Sequence, residues 1–451
     1  MINHVINDNG GKALAGAFTM SVTGSRPRPA SFAGLESPGK TVSINAGAYS
    51  VAETGPSGYA GSSSADCAGS IAVGETKTCT VTNDDVQPRL TLIKTVVNNN
   101  GGTLQVPDFP LFVNATSVAS GVANGFKAGT YTASETQKYG YSASFWGGDC
   151  NGLGSVTLSV GDNKTCTITN SDLPGTIIVK KIIRPASSPT SFNFVATGSG
   201  YVDFSLSSGQ TNTQTPLNAG SYSVQELVPP GWLLTGIGGS NDPNTPFNCT
   251  VTGSGGSTGA GDLTTQTATI SLKNGDTVTC VFDNTGPGVT LTQSFWATHA
   301  PIANSAWFGG TAFGHTFGGV AAVPGIGDQT LCTTRVIDDL GKLMGAFWSD
   351  GPKTSTGGKR SSLDQARMQL LPQLLAAELN ASAFGSVPGS GSFADWESAY
   401  CGTDQTTIKN AVQQATAFNT NGEGGTVTPG TSADSKNARA VANKAFWDSL
   451  P

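Results

Sequence analysis

The stretch "CTITNSD" (Cys166 to Asp172) closes a segment that opens with a Val/Ile-rich run, and related stretches occur twice more. They read "CTVTNDD" from Cys79 to Asp85 and "CVFDNTG" from Cys280 to Gly286. Upstream of each lies a second shared stretch, reading "YSVAET" (Tyr49 to Thr54), "YTASET" (Tyr131 to Thr136) or "YSVQEL" (Tyr222 to Leu227). A repeat of about 90 residues indicates whole small domains in tandem, because solenoid repeats are shorter.

The composition favours β-structure for the first two thirds of the chain. Among 451 residues there are 60 Gly and 23 Pro, and only 12% are charged, which suits short strands joined by tight turns. We therefore predict three β-domains, at 1–86, 87–173 and 174–286, followed by a different domain at 287–451.

The charge and the length of the apolar runs exclude nucleic-acid binding and a membrane span. The net charge is −6 and no Lys/Arg cluster is present, whereas binding to nucleic acid needs a concentrated basic surface. No run approaches the roughly 18 apolar residues of a membrane helix, so we expect no membrane span. The opening "MINHVINDNGG" has neither the basic start nor the apolar core of a signal peptide.

The eight cysteines indicate an oxidising compartment. They fall two per predicted domain: Cys67 and Cys79, Cys150 and Cys166, Cys249 and Cys280, then Cys332 and Cys401. One pair per domain predicts one disulfide per domain, and such bridges persist where the surroundings oxidise, so we expect a secreted or cell-surface protein. Zinc would need clustered C-x-x-C spacing, and we expect neither a metal nor another cofactor.

Strand parity places polar residues among apolar ones, because residues two apart on a strand share a face. In the second repeat Lys94 shares a face with Leu90 and Leu92, Glu135 with Tyr131 and Ala133, and Asn170 with Cys166 and Ile168. In the third repeat Lys180 shares a face with Ile178 and Ile182, Glu226 with Tyr222 and Val224, and Asn284 with Cys280 and Phe282.

This repeated set of Lys, Glu and Asn predicts a chemical reaction. Burying a lysine and a carboxylate is costly unless they pair or lose their charge. Desolvation lowers the Lys pKa and raises the Glu pKa, so a neutral amine and a protonated acid can coexist beside an Asn amide. The amine can then attack the amide carbon while Glu shuttles protons and ammonia leaves. We predict intramolecular Lys-to-Asn isopeptide bonds within Lys94, Glu135 and Asn170 and within Lys180, Glu226 and Asn284.

These residues resemble those of the prealbumin-like, SpaA/Cna-B-type repeats of bacterial surface proteins. The resemblance covers residues 1–285 and rests on "LIKTVV" and "IVKKII", on the Glu-containing stretches and on the Asn that ends each last strand. It implies that each repeat is a small antiparallel β-sandwich and that the two sets form bonds. The alternative is that Lys94 and Lys180 face water on an edge strand, as edge lysines often do. Lys181 takes the opposite face from Lys180.

The first repeat departs from this pattern. Aligning "NDNGG" (7–11) with "NNNGG" (98–102) places Asn3 where Lys94 stands, while Glu53 and Asn83 remain. No internal bond can then form. The first strand is also short, which would expose unpaired backbone that a strand from another copy could fill. The alternative is that the sequence starts inside a longer gene that holds the missing strand and its lysine.

Residues 287–451 show helical periodicity, for example in Leu363, Leu370, Leu371 and Leu374 and in Ile408, Val412, Ala415 and Phe418. Ser361 or Ser362 and Asp404 or Thr406 are suitable N-caps. We predict a mainly α-helical domain stapled by Cys332 and Cys401. The opening "LTQSFWATHA" resembles a helical module that follows such repeats in other secreted bacterial proteins, which implies its position and no chemistry.

The helical region lacks a recognised catalytic motif. His299 beside Trp296 is more often a structural histidine, and the tryptophans at 296, 307, 348, 396 and 447 are more often core than ligand-binding. We therefore expect no turnover enzyme. The leading interpretation is an extracellular structural protein of a bacterial surface or fibre. The alternatives are a filament subunit, assembled from copies of itself by strand donation into repeat 1, and an adhesin whose helical domain binds a glycan or matrix ligand.

Overall fold

The computed structural model describes residues 1–240, 245, 247–422 and 434–451. The chain forms two compact units. The first contains residues 1–99 and 103–173, which hold repeats 1 and 2, and the second contains residues 100–102 and 174–451, which hold repeat 3 and the helical region. Among the described residues, no helix combines the length and apolar composition needed to cross a bilayer.

Repeat 1 consists of two sheets. Its strands are β1 (Ile2–Ile6), β2 (Thr19–Thr23), β3 (Ser31–Ala33), β4 (Gly47–Thr54), β5 (Tyr59–Ser63), β6 (Ala68–Ile71) and β7 (Thr80–Asp85). They are ordered β1-β7-β5 in one sheet and β3-β2-β4-β6 in the other. The first and last strands, β1 and β7, run parallel and side by side, whereas the other pairs are antiparallel.

Repeat 2 has the same plan with an added edge strand. Its strands are β8 (Arg89–Val97), β9 (Leu111–Val113), β10 (Thr116–Val118), β11 (Ala123–Gly125), β12 (Gly129–Glu135), β13 (Tyr141–Ala143), β14 (Gly147–Gly148), β15 (Ser155–Leu158) and β16 (Asn163–Asp172). One sheet has the order β11-β8-β16-β13, with β14 also paired to β16, and the other has the order β10-β9-β12-β15. Again the first and last strands, β8 and β16, are parallel neighbours.

Repeat 3 repeats this arrangement with longer strands. They are β17 (Gly175–Arg184), β18 (Phe192–Thr197), β19 (Phe204–Leu206), β20 (Thr211–Leu217), β21 (Gly220–Leu227), β22 (Leu233–Gly238), β23 (Thr250–Thr252), β24 (Thr258–Asp262), β25 (Thr267–Leu272) and β26 (Thr277–Thr285). The sheets are β20-β17-β26-β22, with β23 on β26, and β19-β18-β21-β25-β24. The predicted β-sandwich class is confirmed, with a parallel pair of first and last strands in each antiparallel framework.

Alternating side chains fill the core of each repeat, and each core holds a disulfide. Leu90, Leu92 and Ile168 are buried in repeat 2, as the parity of their strands predicts. The structure confirms all four predicted disulfides, which are Cys67–Cys79, Cys150–Cys166, Cys249–Cys280 and Cys332–Cys401.

The helical region packs around one central helix. Its helices are α1 (Gln293–Thr298), α2 (Ala300–Phe308), α3 (Leu340–Trp348), α4 (Ser362–Phe384), α5 (Phe393–Cys401), α6 (Gln405–Asn421) and α7 (Ser435–Val441). Short hairpins pair β27 (Gly310–Ala312) with β28 (His315–Phe317) and β29 (Thr330–Leu331) with β30 (Arg335–Val336). Ser361 caps α4 and Asp404 caps α6, each through its side chain, as predicted.

The core of this region contains most of its tryptophans, as the sequence predicts. Trp296, Trp307, Trp396 and Trp447 are at most 1% exposed. The central helix α4 is buried on nearly all sides, which is typical of a helix that is apolar around most of its circumference.

A buried amide joins the segment after repeat 3 to the helices. The Asn380 side chain accepts from the backbone N–H of Leu291 and from Trp296 Nε1, at 2.8 and 3.0 Å. Its Nδ2 donates to Leu291 O at 2.9 Å and to Asn419 Oδ1 at 3.0 Å. The linker that contains Leu291 is thereby held against α4 and α6 by bonds that satisfy every polar atom of this amide.

Candidate functional site

In repeat 2 the three predicted residues meet inside the domain. Lys94 Nζ donates a hydrogen bond to Glu135 Oε2, and Asn170 Nδ2 donates to Glu135 Oε1 at 2.8 Å. The side chains of Lys94 and Glu135 are 0% and 2% exposed, and Asn170 is fully buried. These three residues come from β8, β12 and β16, so the set bridges both sheets. Lys94 does not face water, which excludes the edge-strand alternative at this position.

In repeat 3 the set is assembled with a different lysine from the one predicted. Lys181 Nζ contacts Asn284 Oδ1, and Glu226 Oε2 lies 3.5 Å from the same nitrogen. The side chains of Lys181 and Glu226 are both 0% exposed. Lys180 is exposed on the opposite face of β17, so its assignment to the site was wrong. The prediction failed because both faces of β17, from Ile177 to Ile183, carry apolar residues beside a lysine. Strand alternation alone cannot then identify the buried face.

The pairing register distinguishes the two lysines. In the parallel pair β8–β16, Lys94 lies opposite Ile168, which precedes Asn170 by two residues. In β17–β26, Lys181 lies opposite Phe282, which precedes Asn284 by two residues. A residue two positions along a strand points to the same side, so both lysines share a face with their asparagine.

Repeat 1 has the same register without the amine. Asn3 lies opposite Val81, two residues before Asn83. Asn3 Nδ2 donates to Glu53 Oε2 at 2.6 Å, and Asn83 Nδ2 donates to Asn3 Oδ1 at 3.0 Å. Asn3 and Asn83 are buried, while Glu53 is partly exposed. The incomplete set is therefore assembled in space, with an amide where the other repeats have a lysine.

A phenylalanine beside each lysine was missed in the sequence. The ring centroid of Phe109 lies 4.7 Å from Lys94 Nζ, and that of Phe192 lies 4.3 Å from Lys181 Nζ. Repeat 1 has the buried Phe18 at the aligned position. The signal was available, because "AFT", "DFP" and "SFN" occupy corresponding places in the three repeats. An aromatic wall excludes water from the amine and still tolerates its charge.

Burial shifts the pKa values of both lysines, and of the glutamates in repeats 1 and 3, in the direction that the predicted reaction needs. Desolvation lowers the pKa of Lys94, and the neighbouring Glu135 opposes that shift. Burial likewise lowers the pKa of Lys181 and raises the pKa of Glu226. In repeat 1 burial raises the pKa of Glu53. A less basic amine and a more readily protonated acid are the forms required for attack and for proton transfer.

The outer edge of β1 is not open, in contrast to the expectation from its short length. The outward backbone N–H of Asn3 donates to Leu35 O at 2.9 Å, and that of Val5 donates to Glu36 Oε1 at 2.7 Å. The His4 ring contacts Glu36 Oε2 at 3.0 Å. The loop that carries Leu35 and Glu36 covers this edge, where repeats 2 and 3 have the strands β11 and β20.

His299 behaves as a structural residue. It is 4% exposed, its ring stacks on Phe295 with centroids 3.8 Å apart, and its Nδ1 lies 2.8 Å from Phe295 O. Burial lowers its pKa to about 4, so the ring is neutral near pH 7. These contacts fix the ring at the junction of α1 and α2.

Comparison with known proteins assigns the family. Residues 1–87, 84–168 and 177–286 match models of prealbumin-like fold domains. The chain therefore belongs to the family of proteins built from prealbumin-like fold domains, and it carries three of them in tandem before its helical region. No curated protein matches the chain.

Solved structures show distant likeness. The TIE protein of Bacillus anthracis shares 12% identity, with 63% of this chain and 57% of that chain covered and a TM-score of 0.29. A pilus adhesin of Lactobacillus rhamnosus GG shares 13% identity, with 63% and 43% covered and a TM-score of 0.22. A major pilin of Streptococcus pyogenes shares 13% identity, with 45% and 97% covered and a TM-score of 0.23. The chain thus spans 57% and 43% of the first two proteins, and its family assignment rests on the domain models.

Proposed function

We propose that the chain is an extracellular structural protein of a bacterial surface or fibre, in which repeats 2 and 3 cross-link themselves. The bonds would join Lys94 to Asn170 and Lys181 to Asn284. One observation carries this proposal: in both repeats a buried lysine, glutamate and asparagine converge from three strands, although burying such groups is costly unless they pair or react.

The reaction would proceed within the folded domain. The lysine amine, once neutral, attacks the amide carbon of the asparagine, and the glutamic acid protonates the amide oxygen. The glutamate then carries a proton from the amine nitrogen to the departing amide nitrogen, so ammonia leaves and a C–N bond replaces the one that breaks. The fixed strands supply the high effective concentration that so weak an electrophile requires.

The position of the bonds fits a protein that bears tension. Each would link the first strand of its repeat to the last, which are the strands through which the chain enters and leaves. Force along the chain would then pass through covalent bonds and leave the intervening strands unloaded. Each repeat also has an internal disulfide. Such cross-links slow or prevent unfolding.

The test is the intact mass after complete reduction. We expect the wild-type chain to lack the mass of two ammonia molecules. Lys94→Ala and Lys181→Ala should each recover one of them, because each removes a single nucleophile.

The neighbouring lysine offers a matched control. Lys180→Ala removes an exposed amine from the same strand and should leave the mass deficit unchanged. An unmodified wild-type mass, or a deficit that depends on Lys180, would contradict the proposal.

Association of copies into a fibre belongs to the same proposal, but strand donation into repeat 1 is a poor route to it. The outward N–H groups of Asn3 and Val5 already have acceptors within the domain. An incoming strand would have to displace the loop that carries Glu36.

A further inference from the structure

A pocket of about 530 Å³ lies in the second unit, between α6, the loop after α4 and the linker that follows repeat 3. Its volume is within the range of about 300–1,000 Å³ that small-ligand sites have. It is separate from the cross-link sites. Its walls are built from Gln413, Gln414, Phe418 and Asn421 of α6, with Ser390 and Gly288 opposite.

Hydrogen bonds fix the non-helical walls of this pocket. Gly288 N–H donates to Phe384 O at 2.7 Å, and Ser386 Oγ donates to Val289 O at 2.5 Å. The loop then lies against α6 at Gly391, which has φ of +73° and where a Cβ would come within 2.8 Å of Gln414 Oε1. A site whose walls are already ordered loses little entropy when a ligand binds.

One amide in the pocket wall is oriented by a hydrogen bond, and three other polar side chains in the wall have no hydrogen-bond partner among the described residues. Gln414 Oε1 accepts from Trp396 Nε1 at 2.9 Å, which leaves its Nε2 as a donor. The side chains of Ser390, Gln413 and Asn421 make no hydrogen bond within the described part of the chain. Amides and hydroxyls both donate and accept, so these groups can serve a ligand that presents many hydroxyls.

The lining also has an apolar surface and no charge. Phe418 is partly buried, and its ring lies 5.9 Å from Trp396 and 6.1 Å from Phe393, which hold it in place. None of the described residues that line the pocket is ionisable. A phosphate, a carboxylate or a cation would therefore meet no opposite charge, whereas a molecule with one apolar C–H face and a rim of hydroxyls would meet both kinds of partner.

We propose that this pocket binds a neutral saccharide unit. The amides of Gln413, Gln414 and Asn421 contact its hydroxyls, and Phe418 packs against its apolar face. The site would give the protein a binding function at the helical domain, independent of the cross-links in the β-repeats.

The experiment uses the full chain and soluble probes in saturation-transfer NMR and titration calorimetry. The neutral probes are maltotriose, cellotriose, chitotriose and lactose, and the comparison probes are sialyllactose and a blocked neutral tetrapeptide. We expect at least one neutral saccharide to bind. The Gln413→Ala/Asn421→Ala double variant should weaken that binding at least tenfold, because it removes two hydrogen-bonding groups.

Asn410→Ala is the matched control, since Asn410 is an exposed amide on the same helix outside the pocket. It should leave the affinity within twofold of wild type. Alanine favours helices, so the variants should fold, and circular dichroism checks this. The proposal is overturned if no neutral probe binds, if only the charged sugar or the peptide binds, or if the double variant binds as wild type does.

Discussion

At the scale of single residues, a difference of one position decides which lysine enters the site of repeat 3. Lys181 is enclosed by Glu226, Asn284 and Phe192, and its neighbour Lys180 is exposed. The register in β17–β26 makes the choice, and the same register holds at Lys94 and at Asn3. The three repeats therefore share one geometry and differ in whether an amine is present.

That shared geometry predicts that Asn3→Lys creates a third cross-link. The new amine would lie between Glu53 and Asn83, which already contact Asn3, and the deficit from the mass calculated for the variant sequence should grow by one ammonia. His4→Lys is the matched control, because the His4 side chain is 52% exposed. An unchanged mass deficit in Asn3→Lys would mean that the register alone does not make the site reactive.

At the scale of elements, helix α4 carries a buried carboxyl group that forms no ion pair with any residue in the described ranges. Glu378 is 3% exposed in the centre of the helical core. Burial raises its pKa well above the ordinary 4.5, and the carboxylates of Glu397 and Asp328 raise it further. These surroundings favour the protonated form of the acid, so its contribution to stability depends on pH.

This titration predicts that the helical domain loses stability as the pH rises. The folded state holds the proton more tightly than the unfolded state, so the stabilisation is complete below pH 4.5 and is lost as the pH rises through the raised pKa. Glu378→Gln should raise the unfolding temperature at pH 8 and have little effect at pH 4.5, as read by calorimetry. Asp350→Asn, at an exposed carboxyl, should change neither value. Equal effects of Glu378→Gln at both pH values would refute the assignment.

The disulfides differ in the length of chain that they close. Cys332–Cys401 spans 69 residues, and Cys67–Cys79 spans 12. Loop entropy gives about 4 kcal/mol for the longer span and about 3 kcal/mol for the shorter one.

We therefore predict that the Cys332→Ser/Cys401→Ser pair lowers the free energy of unfolding of the helical region by about 4 kcal/mol. Urea denaturation followed by tryptophan fluorescence measures the loss, because five of the seven tryptophans lie in this region. The matched control is Cys67→Ser/Cys79→Ser, which should leave this transition unchanged. A loss below about 1 kcal/mol would show that the bridge adds little to a core that is already packed.

At the scale of the whole molecule, the three repeats share a fold and differ in their expected response to force. Repeats 2 and 3 carry the residues for a bond between first and last strands, and repeat 1 does not. Without that bond, tension on repeat 1 is borne by the hydrogen bonds of β1 and β7.

Single-molecule pulling should therefore extend repeat 1 alone among the β-domains. The released chain runs from β1 to β7 without the segment closed by Cys67–Cys79, which gives about 20 nm. Asn3→Lys should remove this step, and Lys94→Ala should add a comparable one. Equal extension of all three repeats in the wild type would contradict the cross-link proposal.

The sequence by itself determined the repeat, the class of each domain, the four disulfide pairs and the residue types of the sites. These follow from local signals: internal similarity, alternation, helical periodicity and an even distribution of cysteine. It also predicted the inward faces of Lys94, Glu135 and Asn170, because only one face of β8 is consistently apolar around the lysine.

Three features were decided only by the tertiary structure. They are the choice between Lys180 and Lys181, the covering of the β1 edge by a loop, and the pocket beside α6. The first choice depends on pairing between strands about 100 residues apart, which no local pattern specifies when both faces of a strand are apolar. The edge and the pocket depend on where loops fold back, at Leu35 and at Gly391. Such contacts join residues distant in sequence, and their chemistry becomes visible when the chain has folded.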